Sequence, residues 1–350
     1  MWKGIIIVII IILVLFLFCA LKLSSISDDN DNKKQICFTD FLFCIILKTS
    51  MEEVMNKTFA IIEIGSNNTK THVYENDKVL YDTTTTIEFK KNYAKEGKIL
   101  EEDLNKLYKV IEQVKNYTDN IYVYGCSIFR KLSEEELNTI NKDLKDKYNL
   151  EVEVVSQEKE AEYTALGCYN DIDYKDNICI FIGGGGSIEL IFVKNKKIID
   201  KKYYSFGVVD ITKKFPSLKD DKPTCTFDEV YNYISTLITD INQTADALIL
   251  AGGDHLYWYN NAEYKLEKNT LYDSNNQPYM LTREQSDEYY KDALITSLNR
   301  IRNNSDNPVW FDGSRAMKVI TNYISHEVSA KYIIPTRINM EDGLKDSISE

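Results

Sequence analysis

Only three histidines, His72, His255 and His326, occur in 350 residues, and no HExxH or triad-like spacing connects them. Histidine-based zinc or nucleophilic chemistry has no signature here, and each of the three is read as a structural residue. Paired cysteines are missing too. The seven thiols at 19, 37, 44, 126, 168, 179 and 225 are odd in number and form no CxxC. That pattern argues against a disulfide framework and a zinc site, and leaves reduced, mostly buried thiols. A surplus of positive charge is absent as well. A net charge of −12 with no basic face argues against a general nucleic-acid binder. An acidic chain still holds phosphates through loop amides and selected Arg or Lys side chains.

Hydrophobic runs of membrane-spanning length are scarce. Gly4 to Leu23, broken only by Lys22, approaches the roughly 20 residues a span needs. Ile36 to Leu47 is too short, and Met51 and Met55 stand just before the first clear strand. Two readings of residues 1–50 stay open. One is a membrane anchor through residues 4–23, with the following chain cytoplasmic; the other is an upstream extension ahead of a true start at Met51.

What the chain does have is a four-glycine turn between two apolar runs, Ile178 to Ile182 and Ile188 to Val193. The flanks have the length and β-branched content of buried strands, so Gly183 to Ser187 reads as the turn of a hairpin. Glycines let consecutive N–H groups converge on one point and cradle an anion. Glu189 follows, a carboxylate able to reach a metal or a water beside it. A second copy lies upstream, where Phe59 to Ile64 carries Glu63, turns at Gly65-Ser66-Asn67-Asn68, and re-enters a strand. It is not a Walker A loop, since the second glycine is missing and a strand follows.

The rest alternates strand and helix. Strands are expected at 78–86, 121–125, 151–155, 197–204, 247–250 and 332–334. Helices are expected at 101–114, from Ser133 with Glu136 as a capping box, from Gln157, at 208–215, 227–241, 283–299 and 314–329, and from Met340. Residues 264–279 lack a period and read as loop. The expected class is α/β, two lobes of one plan closing on a phosphate chain.

Five segments resemble, in order, those of the exopolyphosphatase/guanosine pentaphosphate phosphatase (Ppx/GppA) family of the actin-like superfamily. They are Glu63-Ile64-Gly65-Ser66-Asn67; Cys126-Ser127-Ile128-Phe129-Arg130; Ser156 to Glu162; Gly184-Gly185-Gly186-Ser187-Ile188-Glu189-Leu190; and Pro335 to Gly343. The last resembles a Leu-Arg-Glu-Gly segment at Met340-Glu341-Asp342-Gly343. The resemblance implies two actin-like, ribonuclease H-like lobes with a phosphate-binding cleft between them. It divides the chain into the extension (1–50), lobe I (56–172), lobe II (173–334) and a C-terminal segment (335–350) packing back on lobe I.

It also implies a hydrolase that releases terminal phosphate from polyphosphate or a guanosine penta- or tetraphosphate. Glu160 would be the general base and Arg130 the donor to phosphate oxygens. Gly65, Ser66, Asn67, Asn68, Gly184, Gly185, Gly186 and Ser187 would bind phosphate, and Glu63 and Glu189 would hold Mg²⁺ or Mn²⁺. A homodimer is expected. Departures point to weaker hold on a long polyanion: Glu63 for Asp, no Asp before the glycine triplet, Lys159 and Glu162 in the catalytic motif, Asp210 after Gly207, and Asp254 for a hydroxyl. They keep open a family member that binds a phosphorylated ligand without turnover, as sensor or scaffold.

Overall fold

A computed structural model describes residues 58–65, 68–76, 78–170, 172, 176–305 and 308–349. Residues 1–50, with the anchor expectation, and Ser66 and Asn67 of the first loop lie outside the described residues. Among the described residues, no helix is long and apolar enough to cross a membrane.

Two mixed sheets organise residues 58–349. In the first, β1 (Thr58–Ile64), β2 (Asn68–Glu75) and β3 (Lys78–Thr86) form an antiparallel meander. Parallel strands β4 (Ile121–Gly125) and β5 (Val152–Val154) extend it, giving the order β3-β2-β1-β4-β5. The second sheet repeats this plan. Its meander is β6 (Ile178–Gly183), β7 (Ile188–Lys194) and β8 (Lys197–Tyr204), followed in parallel by β9 (Ala247–Leu250) and β12 (Tyr332–Pro335). Two short strands, β10 (Glu267–Lys268) and β11 (Tyr279–Thr282), add an antiparallel edge. Even the irregularity repeats, at Val73/Tyr74 and at Phe192/Val193. This is the two-lobed actin-like arrangement that the sequence implies.

The leading strand of each sheet is buried on both faces over most of its length, which is why each reads as a largely apolar run, interrupted in the first only by Glu63 after Phe59. Helices α1 (Phe89–Glu96), α2 (Glu101–Val114) and α3 (Glu134–Tyr148) lie along the first lobe, and α2 and α3 cover one face of its sheet with Leu107, Ile111, Ile140 and Leu144. On the second sheet, α5 (Val208–Lys214), α6 (Phe227–Leu237), α7 (Asp254–Asn261), α8 (Arg283–Ile295), α9 (Leu298–Asn303) and α10 (Ser314–Glu327) bury one face. Two remaining helices occupy the inner layer. Helix α4 (Gln157–Asn170) buries Ala161, Ala165 and Cys168 against the second sheet. Helix α11 (Met340–Ser349) buries Met340 and Leu344 against Phe59, Ile61 and Tyr124 of the first. The two helices cross, with Gly343 against Tyr163 and Gly167.

One buried charge stands apart from these contacts. Lys318 is fully buried in α10, its Nζ 3.0 Å from His255 Nδ1. Burial holds His255 neutral, far below the usual histidine range, so Lys318 donates to Nδ1. His255 Nε2–H then donates to Thr321, whose hydroxyl donates to the Met317 carbonyl. Burial lowers the Lys318 pKa to about 7, against the pull of Asp254. Above that value the unfolded chain binds more protons than the folded one, so stability rises with pH toward 10.5. Between pH 7 and 9 the gain is expected to be about 2–3 kcal/mol from this group. Lys318→Met should be more stable than the parent at pH 7 and should lose that slope. Urea midpoints for both proteins at the two pH values check it; a parallel slope in the variant would assign the effect elsewhere.

Candidate functional site

The second glycine loop is braced from behind. Gly184 N–H donates to the Ser187 carbonyl at 2.9 Å and closes the turn. The first amides of α5 then hold the loop: Val208 N–H donates to Gly184 O at 3.1 Å and Val209 N–H to Gly185 O at 2.9 Å. With those carbonyls tied back, the amides of Gly185, Gly186 and Ser187 donate to no carbonyl among the described residues. Successive unpaired amides make the concavity an anion needs. Asp210 does not face this concavity: it caps α5 by accepting from Gly207 N–H at 3.0 Å.

Gly207 is what lets helix and loop meet. A Cβ there would sit 2.3 Å from Gly184 O and 2.6 Å from the Gly185 carbonyl carbon. Gly207→Ala must displace the loop backbone, because no flexible side chain can yield. The expected result is at least roughly tenfold weaker binding of inorganic triphosphate, equivalent to about 1.4 kcal/mol. Calorimetric titration checks it, and unchanged affinity would show that this loop holds no phosphate.

Between the loops lie the acid and base groups. The chain leaves β4 through Cys126 into a short 3-10 turn, Ser127–Lys131, which projects Arg130. Arg130 Nη1 donates to Val155 O at 3.0 Å and to Glu160 Oε2 at 2.7 Å, with both side chains partly exposed. Helix α4 starts at Ser156, whose hydroxyl accepts from Lys159 N–H at 3.1 Å. Its first turn presents Gln157 and Glu160, three residues apart, on one side. Gln157 Nε2 donates to Glu189 Oε1, linking the helix to β7 of the second sheet. Glu189 is buried, and desolvation raises its carboxyl above the usual range against the Gln157 and Ser187 hydrogen bonds. Lys159 and Glu162 turn away from this face: they pair with each other at 3.2 Å, and Glu162 also meets Lys201 of β8.

The first hairpin is built differently. Gly65 N–H closes the turn by donating to the Asn68 carbonyl oxygen at 2.9 Å, and the Asn68 side-chain amide oxygen accepts from the Thr86 hydroxyl. Glu63 stands opposite Lys70 in the β1–β2 register, with Nζ–Oε2 3.1 Å. Lys70 also reaches Glu341 of α11 at 2.9 Å, and His72 lies 3.8 Å from the same carboxylate. Burial and the Glu341 charge push the Glu63 carboxyl well up, against Lys70. Burial opposes ionisation of Glu341 too, but Lys70 and His72 outweigh it and hold that carboxyl low. Lys70, Glu341 and Gln157 were not among the sequence candidates. Lys70 is within reach of hairpin register; Glu341 lies inside the Met340–Gly343 segment that carries the resemblance, but nothing in that segment points to Lys70 as its partner.

These residues fit a hard divalent cation unequally. Glu189 suits one, as a buried acid whose hydrogen-bond partners, Gln157 and Ser187, are neutral. Glu63 is already engaged by an ammonium. Among the described residues, no three His, Cys, Asp or Glu side chains gather as a ready-made set. Substrate oxygens and water would complete the coordination. Asp254, at the start of α7, lines a cavity of about 210 Å³ with Gly184, Gly185, Val208 and Trp310. Burial raises its carboxyl to about 6, countered by Lys318 and Lys70.

The model of the Ppx/GppA phosphatase family matches residues 71–299. A curated relative, the bifunctional 3-dehydroquinate synthase/phosphatase of Fusobacterium nucleatum, is 31% identical over 176 residues, covering 45% of this chain and 26% of that protein. The chain thus spans about a quarter of that relative. Among solved structures, the Aquifex aeolicus Ppx/GppA family member superposes with a TM-score of 0.69 at 16% identity, covering 84% of this chain and 98% of its own. An exopolyphosphatase from Cytophaga hutchinsonii gives 0.67 at 19% identity, with coverages of 84% and 98%. At such identities the likeness is one of fold.

Proposed function

The chain belongs to the Ppx/GppA phosphatase family, and from that premise we propose that it hydrolyses phosphoanhydrides, releasing the terminal phosphate of polyphosphate or of a guanosine penta- or tetraphosphate. The observation that carries the reading is the Arg130–Glu160 pair at 2.7 Å, on the helix whose Gln157 holds Glu189. A cation and a carboxylate are thus poised together beside a loop of open amides.

In this reading the amides of Gly185, Gly186 and Ser187 receive phosphate oxygens, and Gly65 and Asn68 flank them from the first loop, with Ser66 and Asn67 as further proposed contacts. Arg130 transfers its fork from Glu160 to the terminal phosphoryl oxygens. Glu160, released from its ion pair, orients a water. The water oxygen bonds to the terminal phosphorus, the bridging P–O bond breaks with its electron pair leaving on the shortened chain, and Glu160 takes the proton. A bound Mg²⁺ or Mn²⁺, held by Glu189 with Glu63 as second candidate, would neutralise charge on the phosphate oxygens.

A second reading, ligand binding without turnover, is favoured by the engagement of Glu63 with Lys70. Phosphate release from both substrates with Mg²⁺ and with Mn²⁺ separates the two. Release of orthophosphate supports hydrolysis; binding with no release supports the sensor.

A further inference from the structure

A second cavity, of about 380 Å³, opens between α7 and the C-terminal segment. That volume lies in the range of small-molecule sites. Its polar lining includes Asn260 of α7, Asn275, Arg337 and Asp342, with Tyr279 of β11 at the edge, 42% exposed. The side chains of Asn260, Asn275 and Arg337 meet no hydrogen-bond or ion-pair partner among the described residues, so their donors and acceptors are available. The cavity adjoins the candidate site on two sides. Arg337 packs over Gly253, whose Cβ position would lie 3.8 Å from its Cα and Cγ, one residue before Asp254. On the other wall, Asp342 follows Glu341, which Lys70 ties to Glu63.

The lining chooses among ligands. A stretch of inorganic polyphosphate carries negative charge at every unit and needs a cation for each; here one guanidinium is balanced by one carboxylate. Amides that both donate and accept, a planar guanidinium and an exposed phenol suit an uncharged, flat, hydrogen-bonding group. Base edges are read by such amides, and base faces stack on Arg or Tyr. We propose that this cavity receives the nucleoside end of a nucleoside polyphosphate whose phosphates lie in the cleft. The proposal rests on the hydrolase reading for its phosphate end and adds the choice between its two substrate classes.

The test compares ligands that differ only in the nucleoside and resist cleavage: guanosine β,γ-methylene triphosphate and methylene-bridged inorganic triphosphate. Calorimetric titration of the full chain should show the nucleotide binding on the order of tenfold tighter or more, as one stacked base supplies. Arg337→Ala and Asn275→Ala should each bring the nucleotide toward the inorganic affinity and leave inorganic triphosphate binding unchanged. Equal affinities in the parent protein overturn the proposal. So does an equal loss for both ligands in the variants, which would make Arg337 part of the phosphate path. Because neither ligand is turned over, the outcome is independent of catalysis: absence of phosphate release in the activity assay removes the hydrolase reading and leaves this result standing.

Discussion

Glu160→Gln should bind ligand as the parent does and turn it over roughly a hundredfold more slowly or worse. The substitution keeps size and leaves an amide oxygen to accept from Arg130, which now donates at 2.7 Å. The N-cap at Ser156 and the Gln157–Glu189 link are untouched, so α4 stays in place. What disappears is the capacity to take a proton from water. Arg130, relieved of a competing carboxylate, is freer to meet phosphate, so affinity should hold or improve. Steady-state kinetics with separate binding titrations decides it. Turnover near that of the parent would remove Glu160 from the mechanism and leave its ion pair as fold.

The largest expected structural effect is at Gly343. A Cβ there would lie 1.8 Å from the Tyr163 carbonyl oxygen and 2.6 Å from its carbon. The approach is reciprocal, since a Cβ on Gly167 would meet Asp342 Cβ and Gly343 N at 3.0 Å. Backbone faces backbone on both helices, so Gly343→Ala forces α11 and α4 apart. The loss of stability should be about 3 kcal/mol or more, at the upper end for overpacking. Because α4 carries Gln157 and Glu160, turnover of whatever folds should fall as well. Urea unfolding followed by fluorescence gives the midpoint. A parent-like midpoint would mean that the helices have room to slide.

Local chemistry made much of this legible. The meander strands at 78–86 and 197–204, and the parallel strands at 121–125 and 247–250, follow from apolar and β-branched runs punctuated by turn residues. Ser133 and Glu136 form the capping box they suggest. Elements without a clear apolar period escaped. Helix α1 buries only Phe89, and α7, which starts directly after Gly253, is short and has no clean apolar stripe. Strand β11 lies at the end of a stretch read as loop, and its partner β12 is distant in sequence. The span 283–299 divides, because Thr296 leaves the helical region and Ser297 caps α9 by accepting from Arg300 N–H. The expected helix at 227–241 stops at Leu237, with Ile238 extended. The site divides the same way. Its glycine loops are contiguous in the chain and visible. The tie from Lys70 to Glu341 is made by tertiary packing and leaves no mark on either neighbourhood.

The inner layer has a consequence for how the chain comes to fold. Phe59, Ile61 and Tyr124 of the first sheet are covered by Met340 and Leu344 of α11. Synthesis delivers that sheet, complete at Val154, well before its cover, which starts at Met340. Until residues 340–349 emerge, one apolar face of the first lobe and the Glu63–Lys70 pair wait without Glu341. Helix α4 likewise waits for the second sheet. Contacts of such long sequence separation close slowly and leave exposed faces prone to association in the interval. The first lobe made alone should therefore be sticky, and its solubility should return when a peptide spanning residues 335–349 is supplied.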